Sequence, residues 1–207
     1  RKNAWETYDK SQEKKVMKLA EQYRQFISAG KTERECVRLT EKMAREAGYI
    51  SLEEALTSGD TLKPGDKVYA IHKKKLAVLF QIGTEPLEKG MNILGAHIDS
   101  PRLDLKQNPL YEDGEMALLD THYYGGIKKY QWAAIPLALH GVVARKDGTV
   151  VELAIGEDPS DPVLGISDLL IHLSGEQLQK KAAVVVEGEN LNIIVGSKPL
   201  KSKKDKE

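Results

Sequence analysis

The sequence predicts an α/β chain in two parts, helices and then strands in the first half and a β-rich second half. Three observations predict it. Apolar residues recur three or four apart through residues 16–47, the period of helix faces. Short apolar runs then follow a turn cluster at Leu62-Lys63-Pro64-Gly65-Asp66, as strands do. Beyond residue 140, paired apolar runs flank glycine-containing turns, which is hairpin texture.

Taken in order, Val16, Leu19, Tyr23 and Phe26 share one helix face, and Gly30 suits the stop. Their expected role is core packing. Thr32-Glu33-Arg34-Glu35 has capping-box form, with Val37, Thr40, Ala44 and Ala47 on one stripe and Gly48 at the end. Ser51-Leu52-Glu53-Glu54 starts another short helix by the same logic. Strands are expected at Val68–Ile71, Leu76–Ile82 and Met91–Ala96, with Lys73–Lys75 a solvated turn between the first two. Helices followed by strands suggest an α/β layer. In the second half, 141–145 and 150–155 flank Lys146-Asp147-Gly148-Thr149, where Asp-Gly tolerates the positive φ of a tight turn. A second pair, Ala183–Glu187 and Leu191–Val195, flanks Gly188-Glu189-Asn190. Pro159 and Pro162 mark a loop, and Ile166–Leu173 is apolar enough to be buried. The boundary falls near residues 104–110, dividing 1–105 from 106–207. The charged tail from Lys198 has little to pack and is expected to fray.

Composition narrows the function classes. The 207 residues carry 31 basic and 31 acidic side chains, so the formal net charge is zero. A nucleic-acid binder would show a one-sided basic footprint, and none is present. No apolar run is long enough to span a bilayer, and Arg1–Lys10 lacks the apolar stretch of a signal peptide. Cys36 is the one cysteine, which excludes an internal disulfide and fits a reducing compartment. Cytoplasm is the default address. The chain opens on Arg1 rather than methionine, so at least one preceding residue is expected to be missing.

The best candidate for chemistry is Gly95-Ala96-His97-Ile98-Asp99-Ser100-Pro101. His97 follows the apolar run Met91–Leu94, which would place it at the carboxyl end of a strand, where α/β sheets hold ligands and metals. Side chains two apart on a strand point the same way. Asp99 can then accept a hydrogen bond from one ring nitrogen of His97, fixing the other as a free lone pair for a metal. His-x-Asp alone is a weak signal, since the tripeptide occurs by chance and an ordinary strand-end hydrogen bond explains it better.

The wider context is more specific. GAHIDSPRLDLK at 95–106, THYYGGI at 121–127 and Trp132 resemble the aspartyl aminopeptidase family, zinc metallopeptidases of the vacuolar aminopeptidase I type. KNAWETYDK at 2–10, KTERE at 31–35 and ISDLLIHL at 166–173 extend the resemblance along nearly the whole chain. It implies the N-terminal part of a two-metal catalytic domain, followed by a β-rich dimerisation domain. His97 would ligate one of two zinc ions, with cobalt or manganese as substitutes, and Asp99 would orient and polarise it as the candidate catalytic residue. His172 would reach into a neighbouring subunit's site and help hold substrate. Without the resemblance, a lone histidine in an apolar segment reads as a satisfied core residue. The implied reaction is removal of acidic or neutral N-terminal residues from peptides, in a tetrahedral dodecamer built from dimers. Tyr124, Gly125, Gly126 and Trp132 read as structural; His72 and His140 carry no role, and His122 reads as packing.

A two-metal peptidase also needs a bridging carboxylate and a glutamate general base. In the family these lie in a later segment, and nothing before Glu207 matches it. A catalytic zinc takes about three protein ligands, and His97 supplies a single one. The chain alone is therefore expected to bind metal poorly and to be inactive. Two rivals stand beside this reading: another His-x-Asp two-metal aminopeptidase family, and a non-catalytic assembly module that supplies only dimer contacts.

Overall fold

The computed structural model describes residues 1–198; the frayed-tail expectation falls outside them, apart from Lys198. The chain divides into two compact units, Arg1–Asp99 and Ser100–Glu207, a few residues before the expected boundary.

The first unit begins with α1 (Lys10–Ala29), α2 (Glu33–Glu46) and α3 (Leu52–Ser58). Each starts where a side chain satisfies the orphan amides of its first turn. Asp9 with Gln12, Thr32 with Glu35, and Ser51 with Glu54 all form reciprocal capping boxes. Gly30 caps the end of α1. α2 buries Cys36, Val37 and Ala44. The α1 stripe differs from expectation. No α1 residue is buried, and Leu19 and Tyr23 are 67% and 63% exposed. Within this unit the main partner of α1 is α2, and one line of contact cannot cover a stripe that wide.

One short strand segment and a hairpin form the first sheet. β1 (Ile50–Ser51) runs parallel to β2 (Lys67–His72), and β2 pairs antiparallel with β3 (Leu76–Gln81) in register from Lys67↔Gln81 to His72↔Leu76. Val68 and Tyr69 are buried beneath the helices. The Tyr69 hydroxyl donates to Glu41 of α2 at 2.7 Å, and the Arg45 guanidinium lies 5.3 Å from the Tyr69 ring centroid. Arg45 also reaches Glu54 of α3 at 3.3 Å, so one polar cluster ties both helices to β2. The expected strand at Met91–Ala96 does not form. A strand buried on both faces needs ladder partners, and none of the described residues supplies them. Met91, Ile93 and Leu94 are 58%, 80% and 100% exposed.

The second unit is built on a long hairpin, β4 (Arg102–Asp113) and β5 (Met116–Tyr124), which extends into an antiparallel sheet of order β4-β5-β10-β9-β6. The remaining members are β6 (Pro136–Leu137), β9 (Leu164–Gly165) and β10 (Ile193–Gly196). A separate ribbon joins β7 (Leu139–Ala144) to β8 (Val150–Ile155), with Gly148 at φ +84° in its turn as the Asp-Gly signal requires. The core is compact: Leu164, Ile166, Leu191 and Ile193 are buried, with Leu119, Trp132 and Val195 against them. Thr121, fully buried, donates from Oγ1 to the Leu191 carbonyl at 2.5 Å.

Two expectations fail in this unit. Ala183–Glu187 and Leu191–Val195 make no hairpin. Residues 182–186 form turns, while β10 pairs with β5 and β9 instead. Ile166 is buried, yet Leu169, Leu170, Ile171 and Leu173 are between 54% and 70% exposed. The segment turns outward there, through a bond from the Leu173 amide to the Leu170 carbonyl.

Candidate functional site

His97 and Asp99 lie on an irregular segment, not at a strand end, yet their side chains meet as the spacing predicts. His97 Nδ1 is 3.1 Å from Asp99 Oδ1 and 3.1 Å from the Asp99 carbonyl oxygen. Both neighbours are acceptors, so the contact favours the tautomer with the proton on Nδ1. Nε2 then carries the ring's lone pair, on a side chain that is 84% exposed. This is the arrangement in which an outer carboxylate fixes a metal-binding imidazole.

The donor set stops there. Among the described residues, no group of three or more His, Cys, Asp or Glu could hold a metal ion. The pair fits one ligand of a zinc centre and not a complete site, since such a centre takes about three. Cys36 offers no alternative nucleophile: it is buried, and burial pushes its thiol up from the ordinary range.

Immediately downstream, the second unit opens on a fixed stretch of chain. Arg102 donates from Nε to Asp104 at 2.8 Å and from Nη1 to the Ser100 carbonyl at 3.4 Å. Its guanidinium lies 4.2 Å from the ring centroid of Tyr124, its cross-strand neighbour. Gly125, at φ +78°, lies against Pro101. Tyr124 and Gly125 are therefore structural, and so is Trp132 in the core. Sequence reasoning missed Arg102; its signal was position, two residues before Asp104 and paired with an aromatic.

The other histidines separate. His72 is exposed beside the lysine turn. His140 meets Glu157 at 2.9 Å. His122 is exposed rather than packed, 3.5 Å from Glu189, which also receives Lys106 at 2.8 Å. Lys106 and then His122 hold the Glu189 carboxyl below its ordinary 4.5. A depressed carboxylate stabilises the fold above its unfolded value and loses that contribution as pH falls through its folded value. The melting-temperature deficit of Glu189→Gln is therefore expected at neutral pH and should shrink as pH falls below 4.5. An equal deficit at strongly acidic pH would contradict the assignment. His172 sits in the second unit, on the exposed turn of residues 171–173 rather than in the core.

The chain is similar to known proteins along most of its length. The sequence profile of the Aminopeptidase I zinc metalloprotease family (M18) matches residues 26–207. The chain belongs to the M18 aminopeptidase family. A probable M18 family aminopeptidase 1 of Clostridium acetobutylicum is 59% identical over 206 residues, covering 100% of this chain and 44% of that protein. The crystal structure of an M18 aminopeptidase from Thermotoga maritima superposes with a TM-score of 0.87 at 42% identity, over 99% of this chain and 43% of that one. Aminopeptidase I from Clostridium acetobutylicum gives 0.82 at 57%, over 100% and 44%. The chain thus spans under half the length of the M18 relatives it matches. The match supports the expected fold class, an N-terminal portion of mixed α/β structure, and sets aside the rival His-x-Asp family. The family is described as zinc-dependent.

Proposed function

We propose that this chain supplies the first zinc ligand, His97, and an assembly surface to an aminopeptidase that removes acidic or neutral N-terminal residues from peptides. The observation that carries it is the His97–Asp99 contact at 3.1 Å in an M18 chain. Asp99 holds the imidazole so that Nε2 is presented for metal. A zinc ion held in part by His97 Nε2 would supply Lewis acidity to the hydrolysis.

The second unit supports the dimerisation role. Leu169, Leu170, Ile171 and Leu173 are exposed around His172 on one turn, a patch that a second subunit would cover. His172 would then face the partner's substrate. The yeast mApe1, a structural neighbour at 21% identity, was solved as a dodecamer. We read this chain's oligomer likewise as dimer-based and closed. Among the described residues no helix is long and apolar enough to cross a membrane.

The second reading, an assembly module without catalysis, is favoured by the single metal ligand. Zinc content and hydrolysis of aspartyl- and leucyl-p-nitroanilide, measured on this chain and on the same chain carried to its relatives' full length, separate the two. Zinc uptake and turnover by the longer protein alone is the expected result. Assembly without zinc or turnover in either would favour the module.

A further inference from the structure

The β2–β3 hairpin carries Lys73, Lys74 and Lys75 at its tip, all exposed. The Lys75 amide donates to the His72 carbonyl at 3.0 Å, closing a β-turn over residues 72–75 within the three-residue connection. Lys73 and Lys74 occupy its centre at φ 49° and 57°, the left-handed pair of a type I′ turn. Asn-Gly is the favoured occupant, because a side chain with a tetrahedral Cβ is strained there. Here two lysines hold those positions. Arg34 of α2 is brought to the same tip by a contact from Nη1 to the Lys73 carbonyl at 3.5 Å. Two separate elements thus place four cations together.

Several cations elsewhere in the chain are paired with acids. Arg24 pairs with Glu21, Arg45 with Glu41 and Glu54, and Lys106 with Asp120 and Glu189. Among the described residues, no acidic side chain lies within ion-pair distance of Lys73, Lys74, Lys75 or Arg34. In a chain of zero net charge this is an uncompensated basic patch on a strained turn. Like charges held so close repel one another, and an anion bound among them relieves that repulsion.

We propose that this tip is a docking surface for an acidic polypeptide segment. Nucleic acid fits less well. Single strands are gripped by aromatic platforms, and the tip has none: Tyr69 is buried, and Phe80 pairs with Val68 at the far end of the hairpin. Duplexes need a longer basic track than one turn provides. A short cluster of carboxylates matches both the size and the charge of the tip.

The test is fluorescence anisotropy of a labelled oligoglutamate of about ten residues, titrated with the full 207-residue chain at low and moderate salt. Binding that weakens with salt is expected. Lys73→Asn with Lys74→Gly and Lys75→Ser should weaken it at least ~10-fold. The same variant should melt no lower than the parent, because Asn-Gly relieves the turn, so lost binding cannot be put down to lost folding. Lys14→Ser, Lys15→Ser and Lys18→Ser together remove equal charge from α1 and should leave affinity within about 2-fold. Three results would overturn the proposal: no binding at low salt, equal loss in the α1 variant, or tighter binding of an oligonucleotide of matched charge.

Discussion

Leu191→Ala is expected to destabilise the second unit by about 2–5 kcal/mol, the cost of truncating a fully buried leucine. Leu191 is 0% exposed and sits among Leu164, Ile166 and Ile193. With so few buried side chains, the cluster has little spare packing to collapse into a void. Its backbone is tied down as well. The Leu191 carbonyl accepts from Thr121 Oγ1, and Asn192 Oδ1 accepts from the Thr121 amide at 3.1 Å. These bonds hold the approach to β10 against β5, so the neighbours cannot follow the missing methyls inward. A small domain has only about 5–15 kcal/mol in hand, so the loss takes a large share of it. Urea unfolding followed by a probe in the second unit would read the shift. Leu170→Ala is the matched control. Leu170 is 70% exposed, and its truncation should change stability by no more than ~0.5 kcal/mol. Equal effects of the two would mean that the core does not lie where Leu191 is buried.

The contrast between Leu191 and Leu170 also shows what could be read beforehand. Signals that act within four or five residues were legible. Thr32 with Glu35 and Ser51 with Glu54 cap their helices as their spacing requires, and Asp147-Gly148 turns the β7–β8 ribbon. His97 and Asp99 meet through the same local logic. Partners distant in sequence were not legible. Met91–Leu94 and Val184–Val186 are equally apolar, but an apolar run becomes a strand only when a ladder partner is at hand. The β4–β5 hairpin is hidden in the sequence although Asp113-Gly114 marks its turn, because Pro109 and the charges of β4 mask its alternation. Lys106 and Glu189 stand 83 residues apart, and no periodicity reveals such a pair. Exposure at 169–173 was hidden for a related reason: leucines look alike whether they face a core or a second subunit.

His97→Ala, made in the protein carried to its relatives' full length, is expected to abolish one zinc ligand and cut kcat/KM by more than ~100-fold. That bound comes from comparison with the outer partner, since losing a residue that only orients a ligand costs about 10–100-fold. Asp99→Asn falls in that lesser class. Its amide oxygen can still accept from Nδ1–H, so the tautomer survives while the charge that raises the basicity of Nε2 is lost. The two substitutions should therefore order as His97→Ala far below Asp99→Asn, and Asp99→Asn below the parent. Stability gives the independent check. His97 is 84% exposed on an irregular segment, so alanine there should shift folding by no more than ~0.5 kcal/mol. Loss of zinc and turnover, with the melting temperature unchanged when both proteins are compared free of metal, would identify a ligand, because a packing residue would also weaken the metal-free fold. A His97→Ala protein that keeps its zinc and its turnover would remove this histidine from the metal centre. The 3.1 Å contact would then be an ordinary turn hydrogen bond, and the assembly reading would be the better account of what this chain contributes.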